Sequence, residues 1–275
     1  MTLLNSIHRT LATASRTAAA AAGLLLAGTA HAQHDGDVGL ALDARGRIVT
    51  ELHTDTAVEL ARVFSSSFGD SGVPFFTQNP GFDAESGTFP AAARIGFSFR
   101  TELRRWTGDG FAPTNAADPL LGERVRASFS ALSATTGAGP VEGFSLAVQA
   151  DGGWHRHISW TLQPAAGAAA PASGVYLLEL SMWCTDPSVL ESRPFWIVMS
   201  AGAPAADVEA AIHWVLDSVP NECASDIDAS GAVDGLDLAA LLANWGGSGE
   251  GDTNGDGTVD GVDLAEVLAG WGECP

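Results

Sequence analysis

Two copies of one aspartate pattern stand near the end of the chain. "DIDASGAVDGLDLAALLANWG" (Asp226 to Gly246) is followed by "DTNGDGTVDGVDLAEVLAGWG" (Asp252 to Gly272), and the two align position by position without a gap. A short unit written twice means one local structure built twice, with neither copy able to bury its apolar residues alone. Each copy opens with four carboxylates: Asp226, Asp228, Asp234 and Asp237 in the first, and Asp252, Asp256, Asp260 and Asp263 in the second. Carboxylates gathered this closely repel one another unless a cation lies among them. Gly231 and Gly257 let the backbone turn sharply enough to wrap one. Behind each loop, Leu238, Leu241, Leu242 and Trp245, and then Leu264, Val267, Leu268 and Trp271, recur at helical spacing. Gly246 and Gly272 are the expected stops. The two stripes are expected to pack face to face.

The loops resemble the calcium loop of EF-hands, in which oxygen ligands come from positions 1, 3, 5, 7, 9 and 12 with glycine at 6. Those positions are Asp226, Asp228, Ser230, the Ala232 carbonyl, Asp234 and Asp237 in the first loop. In the second they are Asp252, Asn254, Asp256, the Thr258 carbonyl, Asp260 and Asp263. A hard cation wants six to eight oxygens, so two calcium ions are expected. A loop-helix duplicated in this way, with aspartate at position 12, is similar to the dockerin family. That resemblance implies a small all-α calcium-binding module, residues 221–275, docking onto a cohesin-like or other cell-surface partner through loop positions 10 and 11. Here those are Gly235-Leu236 and Gly261-Val262, without the hydroxyl pair of many cellulosomal dockerins.

At the other end, residues 1–32 read as an export signal. Arg9 and Arg16 precede the short apolar run "AAAAAGLLLA", and Ala30-His31-Ala32 forms a small-x-small cleavage site. The run is too short for a membrane span, so a secreted or cell-surface protein beginning at Gln33 is expected, with no span in the mature chain. Export permits disulfides. Cys223 and Cys274 bracket the duplicated segment, where pseudo-symmetry tends to bring chain ends together, and they are expected to pair. Cys184 is expected to stay unpaired. A net charge of −20 argues against nucleic acid or an anionic membrane as partner.

Residues 33–204 read as a β-sandwich. "DVGLAL", "RIGFSFR", "RVRASF", "GFSLAVQ", "WHRHISWTL", "GVYLLELSMW" and "PFWIVMS" show period-2 alternation or short apolar runs, separated by turn-rich loops. "AADVEAAIHWVLDSVP" (residues 205–220) reads as one helix linking this domain to the C-terminal module, with Pro220 ending it. No Gly-rich phosphate loop follows a strand and no G-x-S-x-G elbow appears. The leading expectation is therefore a non-catalytic protein. The alternative is a polysaccharide-active enzyme or a carbohydrate-binding protein carrying a dockerin.

One stretch stands out for chemistry. In an extended "GGWHRHISWTL", Trp154, Arg156, Ile158 and Trp160 face one way, and His155, His157 and Ser159 the other. The two imidazoles then stand side by side, able to share one metal. His34 and His53 are the candidate third ligands, with Asp37 or Asp55 as accessory carboxylates. "HRHISWTL…SGVYLLEL" resembles the H-x-H-x-x-W-x-F…G-x-Y-x-L pattern of bacterial secreted or surface-anchored β-domains, with Leu162 in the place of phenylalanine. The wider layout is similar to secreted proteins with PEP-CTERM sorting tails, some under zinc-repressor control. The resemblance implies no enzymatic activity and points toward zinc at His155 and His157.

Overall fold

The computed structural model describes residues 36–43, 46–53, 58–218, 223–228, 230–248, 251–254 and 256–274. The expected export signal, His34, Asp55 and Pro220 lie outside the described residues. Among the described residues the chain is mainly β. Its strands are β1 (Val38–Leu42), β2 (Ile48–His53), β3 (Val58–Leu60), β4 (Val63–Ser67), β5 (Phe76–Thr77), β6 (Phe82–Ala84), β7 (Arg94–Phe99), β8 (Arg104–Trp106) and β9 (Phe111–Pro113). They continue as β10 (Arg124–Phe129), β11 (Leu132–Thr135), β12 (Val141–Ala147), β13 (Trp154–Arg156), β14 (Ser159–Gln163), β15 (Gly174–Cys184) and β16 (Phe195–Ala201).

Three sheets share one core, in a sandwich-like arrangement. The first runs β13-β6-β1-β2-β3, the second β11-β10-β14-β5 and the third β12-β7-β15-β16-β4, with β8 and β9 added at β15. Val38, Leu52, Phe82 and Trp154 from the first sheet meet Val125 and Trp160 from the second and Phe97, Leu180 and Phe195 from the third. Burial follows the period of two most plainly where one face meets solvent along a whole strand. In β2 it alternates from Ile48 to His53.

The segment around the histidines is not one strand. β13 pairs with β6 in the first sheet, whereas β14 pairs with β10 and β5 in the second. The chain changes sheets at His157-Ile158. Alternation survives the break, since Trp154, Ile158 and Trp160 are all buried. A period-2 pattern records which face is inward, not which neighbour is paired.

The third sheet is covered on both faces, so β16 is buried throughout, and such strands read as near-continuous apolar runs. Its second face meets α1 (Ala205–Ser218). Ala211, Ile212 and Val215 pack there on Val63, Val175, Leu177, Trp196 and Val198. The helix expected to serve as a linker is thus a layer of the sheet domain. The aromatic side chains of Trp106, Phe111 and Trp214 extend the contact, with ring centroids 5.2 to 6.3 Å apart.

The C-terminal segment carries α2 (Gly235–Ala243) and α3 (Gly261–Ala269), and β17 (Ala232–Val233) paired with β18 (Gly272–Glu273). The repeat is visible in its hydrogen bonds. Val233 pairs with Gly272 beyond α3, and Val259 exchanges backbone bonds with Gly246 and Gly247 beyond α2. Cys223 and Cys274 are disulfide-bonded, with Cα atoms 5.8 Å apart, and Cys184 is free. The expected face-to-face stripe is narrower than the sequence suggests. Val233, Leu241, Val259 and Val267 fill the seam, while Leu242, Trp245, Leu268 and Trp271 remain about half exposed. Helices of nine residues present few turns, and the loop valines take the space the outer pair would have filled. The helices end at Ala243 and Ala269, ahead of Gly246 and Gly272. No described helix is long and apolar enough to cross a membrane.

Candidate metal centres

The outward face of the first sheet carries an unusual row of side chains. Register places His155 opposite Asp83, Asp83 beside Gly39, and Gly39 opposite Glu51. His155 Nδ1 lies 2.9 Å from an Asp83 carboxylate oxygen. A carboxylate accepts, so Nδ1 is the donor, and the neutral ring would keep its lone pair on Nε2. His157 leaves the strand where the chain changes sheets, and its Nδ1 lies 3.1 Å from the Gln78 carbonyl. That acceptor again assigns the proton to Nδ1. Nε2 of His157 then faces Oδ2 of Asp37 at 3.6 Å.

Asp37 sits just before β1 and is 4% exposed. Its Oδ1 accepts the Gly81 N–H at 2.8 Å, whereas Oδ2 is buried without a hydrogen-bond partner. A buried carboxylate oxygen without a hydrogen-bond partner is costly, and here it faces His157 Nε2 at 3.6 Å. One ligand atom from each of Asp37, His155 and His157 lies within 4.8 Å of the others. Ligand atoms bound tetrahedrally at ~2.1 Å lie about 3.4 Å apart, close to the observed spacing of Asp37 and His157. The imidazole centroids are 5.1 Å apart and the rings are steeply inclined. Two nitrogens and one carboxylate oxygen form a donor set that suits zinc and leaves a fourth position for water. Asp83 and the Gln78 carbonyl orient the rings as outer partners do in metal sites.

Gly81 is required by this geometry. A Cβ there would stand 2.7 Å from both Cε1 and Nδ1 of His157 and 3.0 Å from Asp37 Oδ1. His53 lies on the same face, over Gly39, but its Nε2 is 3.0 Å from Glu51 and it is not in the converging trio. Asp83, Gln78 and Gly81 escaped sequence reasoning. Asp83 falls inside "GFDAESG", where nothing local marks it, because its role comes from cross-strand register.

The two aspartate loops are candidates for a second kind of centre. In each, the position-1 carboxylate accepts backbone N–H groups from positions 5 and 6: Asp226 from Ser230 and Gly231, and Asp252 from Asp256 and Gly257. The glycines at position 6 have φ of 98° and 93°. Asp234 and Asp260 cap the helices and form capping boxes with Asp237 and Asp263. Asp226, Asp228 and Asp237 converge within 4.8 Å of one another. The donors are all oxygen and the backbone is already wrapped, so these residues fit a hard cation such as calcium.

The loops differ in their surroundings. The Asp226 side chain is fully buried and its Oδ2 lies 2.6 Å from Arg193 Nη1. Burial raises the carboxyl pKa of Asp226 and of Asp237. In the second loop, N–H groups led by that of Asp260 hold Asp263 below its ordinary value.

No protein-family model and no curated protein matches the chain. Among solved structures, the CooA pilin subunit from enterotoxigenic Escherichia coli is similar at 11% identity. The match spans 56% of this chain and 97% of the pilin, with a TM-score of 0.25, a likeness too low to carry an argument about fold or function.

Proposed function

We propose that this is an exported, non-catalytic protein that binds a transition-metal ion of the zinc type on its sheet domain. Asp37, His155 and His157 are the ligands. Its duplicated C-terminal segment holds two calcium ions and attaches the protein to a surface or assembly. The observation that carries the metal reading is the unpaired, buried Oδ2 of Asp37, set against the Nε2 side of His157 with His155 alongside. A cation there would compensate the buried carboxylate oxygen and lie within reach of both imidazoles. Asp83, the carboxylate hydrogen-bonded to His155 Nδ1, is engaged in orienting that ring, and binding or sequestration is the reading favoured over hydrolysis.

The attachment role rests on the dockerin-like pattern and on a repeated apolar surface. Leu236, Leu242 and Trp245 in the first unit, and Val262, Leu268 and Trp271 in the second, are each about half exposed. Exposed apolar side chains repeated at matched positions suit a contact surface, and a cohesin-like or cell-surface protein is the partner the dockerin-like pattern implies. The carbohydrate-binding alternative gains nothing from Trp154, Trp160 and Trp196, which are core residues.

Zinc calorimetry on the chelator-treated chain tests the metal reading. The wild type is expected to bind one zinc ion at micromolar concentration or tighter. Asp37→Asn and the His155→Ala/His157→Ala double variant are each expected to bind at least ~10-fold more weakly. Equal binding by all three, or none by the wild type, overturns it.

A further inference from the structure

The two aspartate loops are alike in sequence and unlike in place. Around the first, Ser230 is 4% exposed, and a Cβ on Gly231 would stand 3.0 Å from Arg47 Nε and 3.4 Å from Arg193 Nε. Around the second, Asp256 and Gly257 are exposed, and a Cβ on Gly257 would meet nothing within 4 Å. The first loop is pressed against the arginines of the sheet domain, and the second faces outward.

We propose that Arg193 is a built-in counter-cation of the first loop, competing with calcium for Asp226, so that filling this loop loosens the duplicated segment from the sheet domain. The second loop fills independently. The inference rests on the reading of both loops as calcium sites.

The charge arithmetic supplies the reason. A guanidinium nitrogen stands 2.6 Å from Asp226 Oδ2, and both side chains are largely out of water. A calcium ion held by Asp226, Asp228 and Asp237 would lie ~2.3–2.6 Å from a carboxylate oxygen. Dication and guanidinium would then share one carboxylate with little solvent between them, where like charges repel strongly. Either the ion binds weakly or the arginine leaves. A cavity of about 250 Å³ adjoins the pair, bordered by Arg47, Arg62, Arg193, Cys223 and Asp226, and gives the guanidinium room to move. Asp252 in the second loop accepts bonds from the backbone of Asp256 and Gly257, and no arginine ion pair is found on it among the described residues.

Coupling of this kind is reciprocal. Whatever factor Arg193 costs calcium at the first loop, calcium costs the docked contact the same factor. Removing the guanidinium charge should therefore tighten the first loop by ~5–150-fold, the usual span of such couplings, and leave the second unchanged.

The experiment uses the full chain. Calcium is titrated calorimetrically into wild type and Arg193→Gln, each also in a background where Asp252→Ala and Asp263→Ala silence the second loop. The expected result is tighter first-loop binding in Arg193→Gln, with second-loop affinity unaltered. Equal first-loop affinities in the two proteins overturn the proposal and leave the calcium reading standing. Absence of binding at both loops overturns the calcium reading and the proposal together. A second measurement needs no substitution at 193. Phenylglyoxal labelling of wild-type protein, read by peptide mass spectrometry, should show Arg193 becoming more reactive on calcium addition while Arg156 stays constant. Unchanged labelling of Arg193 in calcium-loaded protein also overturns the competition.

Discussion

At the scale of single residues, Tyr176 offers a direct check on the core. It is the only tyrosine in the chain and is fully buried, donating its hydroxyl to the Ala172 carbonyl at 2.7 Å. Burial, reinforced by the nearby Glu123 charge and opposed by Arg105, pushes its pKa from 10.0 up to about 12. Between those two values the unfolded chain has lost the phenolic proton and the folded chain retains it. Stability therefore falls as pH rises through that window. Tyrosinate absorbance should develop near pH 12, and an ordinary titration near 10 would contradict the burial. Gly81 provides the second residue-scale prediction. Gly81→Ala drives a methyl group into the His157 ring and toward Asp37, so zinc affinity should drop by ~10–100-fold. Far-UV circular dichroism should stay the same, and calorimetry reads the affinity. How much of this site the sequence reveals is clear from its members. His155 and His157 are two apart, and alternation alone places them on one face. Asp37 is named in the sequence only as an alternative to Asp55, whereas Asp83 and the Gln78 carbonyl reach the histidines across long separations in the chain and leave no local trace.

At the scale of elements, legibility depended on how each one is buried. β1, β7, β10, β15 and β16 lie where alternating or apolar runs place them, because one or both faces are buried. β3, β5 and β6, two or three residues long, are held by their neighbours and carry too few residues to show a period. α1 is the instructive difference. The stretch reads as a helix in the sequence and is one over Ala205–Ser218, but nothing local says whether its apolar side covers a sheet or spans a gap. The sheet it covers contributes Val175, Val198 and Trp196 from distant parts of the chain. If α1 is a layer of the sheet domain, Ile212→Ala, at a fully buried position, should cost ~2–5 kcal/mol. Glu209→Ala, on the exposed side, should lie within about 0.5 kcal/mol of wild type. Denaturant unfolding compares them. A helix that merely linked two domains would leave the stability of the sheet domain untouched by either change.

At the scale of the whole molecule, the duplicated segment is held by three unlike constraints: a small apolar seam, a disulfide and its contact with the sheet domain. Its core of Val233, Leu241, Val259 and Val267 is small for a unit carrying eight loop carboxylates. Units of this size commonly need a cross-link or a metal to stay folded. The Cys223–Cys274 bond closes a long stretch of chain, with a sequence separation of 51, and in the chain-entropy model such a closure stabilises by ~4 kcal/mol. On the proposed reading calcium would act differently, by binding only the folded loops and relieving repulsion among their carboxylates. The two effects should therefore add. Circular dichroism of the full chain, followed during heating, is expected to show two transitions. The lower one, from the duplicated segment, should fall when the disulfide is reduced, fall when EDTA removes calcium, and fall furthest when both are done. The upper one, from the sheet domain, should move little, since its core is closed by Phe97, Trp160, Leu180 and Phe195 without help from either. If reduction and chelation lower both transitions together, the segment and the sheet domain unfold as one unit. The contact between Arg193 and Asp226 would then be a structural weld between them.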